Sequence, residues 1–149
     1  MKFIKNIAIA SIASLLSITA VQAGTFEAYS LMDQKSKRLV LVVSFAGGDD
    51  VTEAQADFTI PAGYKFVSAK SKVSDTLCVA IPDNKIRVVP PSGGTTPLPK
   101  AATDYCAFTF VAEKGLNSSV SPVFAQSFVE CAAVSGIKSC NANIADITQ

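Results

Sequence analysis

From Leu39 to Phe45 the chain is apolar at every position except Ser44, and from Val51 to Ile60 it alternates. In the second stretch Val51, Ala54 or Ala56, Phe58 and Ile60 can face inward while Glu53, Gln55 and Asp57 face water. A short Val-rich run bounded by turn residues fits a buried strand, and alternation fits a strand with one solvated face. Gly47-Gly48-Asp49-Asp50 supplies the turn between them. Pro61 stops the second strand, and Ala62-Gly63 turns the chain.

The same pattern recurs along the rest. Gly24 to Met32 alternates loosely as a first strand, followed by the polar turn Asp33 to Lys37. Tyr64 to Val67 and Leu77 to Ile81 are further strands, separated by the polar Lys70 to Asp75. Pro82-Asp83-Asn84 leads into a strand from Ile86 to Val89, and Asp and Asn tolerate the positive φ that a tight hairpin needs. Pro90 to Lys100 holds four prolines and two glycines in eleven residues. It therefore reads as a loop, partly polyproline-like.

Tyr105 to Ala112 sets Cys106, Phe108 and Phe110 on one side and Tyr105, Ala107 and Thr109 on the other, as a core strand does. Glu113 to Ser119 turns, and Val120 to Glu130 runs extended past Pro122. Cys131 to Val134 and Ile137 to Ile147 close the chain. After residue 23 no segment keeps a helical period, and short strands between turn residues indicate an all-β, antiparallel β-sandwich.

The first 23 residues stand outside that pattern. Lys2 and Lys5 precede an apolar run from Ile7 to Ala20 that ends in Val21-Gln22-Ala23, the arrangement of a secretory signal peptide cleaved before Gly24. The run is shorter than the ~20 residues of a membrane-spanning helix, and no Cys stands at position 24 to accept a lipid. Cleavage leaves 126 of the 149 residues, 24–149, as a single domain, secreted or periplasmic. That domain carries eleven basic and twelve acidic residues, a formal charge of −1, which calls for no oppositely charged partner. Lys65, Lys70 and Lys72 fall far short of a nucleic-acid footprint.

Cys78, Cys106, Cys131 and Cys140 all lie in the exported part, and an even count there reads as two disulfides. A zinc site would want C-x-x-C spacing or histidine, and the sequence has neither. If Ser135-Gly136 is a two-residue hairpin loop, Cys131 faces Cys140 as a non-hydrogen-bonded pair, with Cα atoms about 4.5 Å apart. That leaves Cys78 with Cys106, enclosing the proline-rich loop and stabilising by roughly 3 to 4 kcal/mol through chain entropy. The two other connectivities remain open.

A chain without histidine cannot activate a nucleophile through a Ser-His or Cys-His pair. Ser135 and Lys138 have the S-x-x-K spacing but lie in a hairpin turn rather than at a helix start. Asp49, Asp50, Asp57, Glu113 and Glu130 read as solvated turn and strand-face groups, and Asp49-Asp50 lacks a calcium-loop pattern. The protein is thus expected to be no enzyme and to need no cofactor or metal. Asn117-Ser118-Ser119 is a formal glycosylation sequon.

The stretch Ala56-Asp57-Phe58-Thr59-Ile60-Pro61-Ala62-Gly63-Tyr64, behind a Val-rich strand and a glycine turn, resembles the opening of a cohesin-like module. Phe108-Thr109-Phe110-Val111 is similar to a late strand of such modules, and Ala145-Asp146-Ile147-Thr148 to their closing strand. The resemblance implies a jelly-roll-like sandwich of about nine strands that binds another protein through a sheet face, related in architecture to secreted carbohydrate-binding domains. No binding residue is carried over from it.

Two functions from different classes follow. The first is a non-catalytic protein-interaction or surface-assembly module, holding another extracytoplasmic protein through a sheet face or the loop Pro90 to Lys100. The alternative is a carbohydrate-binding domain with a polysaccharide as partner. Its sugar platform would rest on Tyr29, Tyr64 and Tyr105, since there is no Trp, although each tyrosine reads as a rim or core-edge residue. Neither reading involves nucleic acid or, after signal cleavage, a membrane span. Arg38 to Val67 is expected to be scaffold, with the loop and the Cys131 to Cys140 hairpin as the places to look for function.

Overall fold

The computed structural model describes residues 24–33, 35–92, 94–115 and 122–146. The expected leader, residues 1–23, the sequon Asn117-Ser118-Ser119, the expected strand start at Val120 and the expected end at Ile147 lie outside the described residues. Among the described residues there are ten strands: β1 Thr25–Asp33, β2 Arg38–Ala46, β3 Val51–Thr59, β4 Tyr64–Ser71, β5 Leu77–Ile81, β6 Lys85–Val89, β7 Thr103–Ala112, β8 Ala125–Ala133, β9 Gly136–Lys138 and β10 Asn141–Asp146. They form two five-stranded sheets, β10-β1-β2-β7-β4 (sheet one) and β5-β6-β3-β8-β9 (sheet two). Every pairing is antiparallel except β1 with β10, which run parallel.

The continuous apolar run of β2 is explained by its place. It lies in the middle of sheet one, with Leu39, Leu41, Val43 and Phe45 buried between the sheets. On its outer side Val42 sits between Tyr29 of β1 and Ala107 of β7 and is itself buried. The core closes with Phe58 of β3, Ile86 and Val88 of β6, and Phe108 and Phe110 of β7. Phe26 and Phe45 approach to 4.4 Å between ring centroids, and Phe110 and Phe124 to 5.2 Å. Ring pairs at these separations add to the stabilisation from burial alone.

The β5–β6 turn has the expected conformation, with φ of 70° at Asp83 and 59° at Asn84. It is also tied to the end of β3, because the Asn84 side-chain amide donates to the Ile60 carbonyl at 3.1 Å and Ile60 N–H donates to the Asn84 carbonyl at 2.9 Å.

Four local expectations are corrected. β4 continues to Ser71 instead of stopping at Val67, because a bulge at Val67 restores pairing of Ser68, Ala69 and Lys70 with β7. β8 is one strand through Glu130 and Cys131, since β3 pairs with it along almost its whole length. The β8–β9 loop is Val134-Ser135 rather than Ser135-Gly136. Gly136, at φ 131°, a region open to glycine, already pairs with Ala133, so Cys131 faces Lys138 instead of Cys140. Asp57 is buried rather than solvated.

Both disulfides begin in sheet two and leave it. Cys78 of β5 is bonded to Cys106 of β7 in sheet one, with Cα atoms 5.8 Å apart. Cys131 of β8 is bonded to Cys140, on the segment that crosses from β9 to β10, with Cα atoms 6.0 Å apart. Neither is a rung within one sheet. Each fastens sheet two to the layer beneath it or to the chain leading there.

Candidate interaction face on sheet two

Alternation along β5, β6, β3 and β8 turns one set of side chains to the core and the other to the outer face. Register then places Val79, Arg87, Asp57 and Phe128 side by side in one row across these four strands. Leu77 stands beside Val89, and Ile81 beside Lys85. Ile137 of β9 faces Ala132 of β8. The outer face thus carries Leu77, Val79, Ile81, Val89, Phe128 and Ile137. Leu77 is 46% exposed, Phe128 40% and Ile137 73%.

In the middle of this apolar surface lies the ion pair. Arg87 Nε donates to Asp57 Oδ1 and Arg87 Nη2 to Asp57 Oδ2, each at 2.8 Å. This two-pronged geometry is the strong form of the carboxylate–guanidinium contact. Asp57 is only 5% exposed although it points outward, so its charge is held under Arg87 rather than in water. The hydrogen bonds to Asp57 raise the Arg87 pKa further above its already high ordinary value, so the guanidinium stays charged. Three of its five donor hydrogens are left over by the pair.

Toward the β9 side, the face dips into an open depression of about 230 Å³ lined by Gln55, Val89, Pro90, Glu130, Ala132 and Ile137, among others. The opposite outer face, on sheet one, differs. Leu31, Val40, Thr109 and Val111 are half-buried there, and the cations Arg38, Lys65 and Lys70 border them.

The residues singled out from sequence fall elsewhere. In the proline-rich loop Leu98 is buried, its N–H donating to the Val51 carbonyl at 2.7 Å, while Gly47 N–H donates to the Pro99 carbonyl at 2.8 Å. A Cβ at Gly47 would meet Pro99 O at 2.9 Å, so this approach requires glycine. The second half of the loop is therefore a strap on the β2–β3 turn through Leu98 and Pro99, and Ser92, 94–97, Pro99 and Lys100 are exposed.

Lys138 pairs with Asp50 at 3.3 Å and Lys100 with Asp49 at 3.3 Å. Among the described residues no three metal-ligating side chains come together. Tyr64 and Tyr105 are core residues, 5% and 1% exposed, and burial raises both phenol pKa values. Tyr105 was expected on the far side of its strand from Cys106. It sits at the irregular step where β7 slips against β2 beside Val43 and Ser44, and is buried with Cys106. Only Tyr29 keeps partial exposure, on sheet one, so no two tyrosines share an exposed face.

The fold has solved counterparts. The sixth cohesin of scaffoldin B from Acetivibrio cellulolyticus, solved in complex with a Cel5 dockerin mutant, superposes with a TM-score of 0.68 over 86% of this chain and 100% of that one, at 11% identity. The fold is cohesin-like. The seventh ScaB type I cohesin of Pseudobacteroides cellulosolvens superposes at 0.63 with 7% identity, covering 85% of this chain and 92% of that one. A non-cellulosomal cohesin of the hyperthermophilic archaeon Archaeoglobus fulgidus gives 0.62 with 13% identity, covering 85% and 91%. No family model matches the sequence, and no curated protein matches it. At 7 to 13% identity the likeness is thus one of architecture.

Proposed function

We propose that the protein is an exported, non-catalytic interaction module that holds another extracytoplasmic protein on the outer face of sheet two. One observation carries this reading: Leu77, Phe128 and Ile137 are exposed on that face around a fixed Arg87–Asp57 pair. Exposed apolar and aromatic side chains gathered on one sheet face, with an arginine among them, have the composition of a docking surface. Several cohesin-like neighbours were solved with dockerins bound, which supports a protein as the partner. The leader-like first 23 residues and the two disulfides support a secreted or periplasmic site of action.

The test is affinity capture from the native envelope and culture medium with three forms of the chain. Wild type and Lys65→Glu, altered on sheet one, recover the same partner. Phe128→Asp combined with Ile137→Asp loses it. Equal recovery by all three, or no reproducible partner at all, contradicts the proposal.

A further inference from the structure

The sandwich has four sheet edges, and three of them are blunted. β4 carries Lys65 and Lys70 and the bulge at Val67. β10 exposes Asn141 and Asn143, and β9 is three residues long. Charged or polar side chains, bulges and short length are the usual ways an edge is kept from pairing with another chain.

β5 has none of them. Leu77-Cys78-Val79-Ala80-Ile81 contains no charge, proline or glycine and pairs with β6 in unbroken register. Among the described residues it makes no backbone-to-backbone hydrogen bond outside that ladder. Leu77 and Ala80 are exposed, and the disulfide from Cys78 to Cys106 holds the strand to sheet one. Asp75 and Asp83 bracket its two ends. Both are exposed, in turns with φ of 64° and 70°, and neither has a cation within ion-pair distance among the described residues.

We propose that β5 accepts an extended segment of a second protein as an added strand, with apolar residues at alternate positions and Lys or Arg at two positions eight residues apart. This rests on the reading of the protein as an interaction module and adds a second mode of contact to it. The open backbone groups of β5 supply the hydrogen bonds of strand addition, and Leu77, Val79 and Ile81 supply the apolar row. Eight residues of strand span about 26 Å, longer than five-residue β5, so cations at both ends of the added segment reach past β5 to the turns that carry Asp75 and Asp83, in either strand direction. A second copy of this chain added antiparallel about Val79 would instead set Asp75 against the other copy's Asp83. Like charges opposite each other disfavour that arrangement.

The test uses the full chain and the synthetic peptide Lys-Thr-Val-Thr-Val-Thr-Val-Thr-Lys, beside a control with Glu at both ends. At saturating lysine-ended peptide, hydrogen exchange of the open-edge amides within Leu77–Ile81 slows at least about tenfold. The glutamate-ended peptide binds about fivefold weaker or worse, the size expected of two screened ion pairs. Asp75→Asn with Asp83→Asn keeps the turn conformations, because Asn tolerates positive φ, and erases the difference. Phe128→Asp with Ile137→Asp leaves peptide binding intact, so failure at the sheet face and failure at the edge are told apart. No protection in β5 at millimolar peptide overturns the proposal, as does equal affinity for the two peptides. Concentration-dependent protection of β5 without peptide also overturns it, by making a second copy the occupant.

Discussion

The two outer faces of the sandwich are built from the same kind of strand, yet they meet water differently. On sheet one the outward apolar side chains Leu31, Val40 and Val111 are half-buried and Val42 is buried, and Arg38, Lys65 and Lys70 border them. On sheet two Leu77, Phe128 and Ile137 stand clear of their neighbours, and the central charge, Asp57, is neutralised by Arg87 and withdrawn from solvent. Apolar content alone does not separate the faces, since β2 of sheet one is apolar from Leu39 to Val43 and again at Phe45 and Ala46. What separates them is whether apolar side chains are covered by their own sheet. A face whose apolar groups are left uncovered, on strands fastened by both disulfides, is the one proposed above to hold the partner.

That contrast can be broken most strongly through the fastenings. Replacing Cys78 and Cys106 by Ala opens a loop with a sequence separation of 28 and is expected to lower unfolding free energy by about 3.6 kcal/mol. Replacing Cys131 and Cys140 opens one of 9 and is expected to lower it by about 2.6 kcal/mol. Urea titration measures both, and hydrogen exchange should show β5 loosened in the first variant and β8–β9 in the second, with β1 and β2 little changed.

Phe128→Asp with Ile137→Asp should weaken partner binding about 100-fold with little change in stability, whereas Lys65→Glu should change affinity less than about twofold. Titration calorimetry with the captured partner checks this pair. Arg87→Ala should lower the urea midpoint, because it leaves the Asp57 carboxylate buried without its partner, and Arg87→Ala with Asp57→Ala should recover part of the loss. Failure of the double variant to recover would mean that Arg87 acts through packing instead of through the pair.

The smallest effect concerns pH. The phenols of Tyr64 and Tyr105 have pKa values raised by burial above the ordinary value of about 10. The folded state therefore keeps those protons after the unfolded chain has lost them. The stability they contribute is present below pH 10 and declines as pH rises above it. Denaturation melts between pH 9 and 11 measure it, and two of the three tyrosines should ionise only as the protein unfolds.

What could be read in advance was local. The period of β2, the alternation of β3 and the positive-φ turn at Asp83-Asn84 are written in neighbouring residues, and these elements stand where the pattern put them. Asp57 was misread as solvated because the group that buries it, Arg87, lies 30 residues away. The β8–β9 register shifted because Gly136 adopts a backbone conformation that lets it join the strand instead of the loop. The proposed interaction face is hidden in the sequence for a related reason. Only the pairing of β8 with β3 and β9 puts Phe128 and Ile137 on the outward side. The Arg38 to Val67 stretch is expected to be scaffold, and its β3 places Asp57 in the middle of the proposed face.

The most direct measurement is hydroxyl-radical footprinting of the chain free and bound to its captured partner, read by mass spectrometry at individual side chains. The account predicts protection of Leu77, Val89, Phe128 and Ile137, with Leu31, Val40 and Val111 modified equally in both states. Protection of Leu31, Val40 and Val111 with Phe128 and Ile137 unchanged would contradict it.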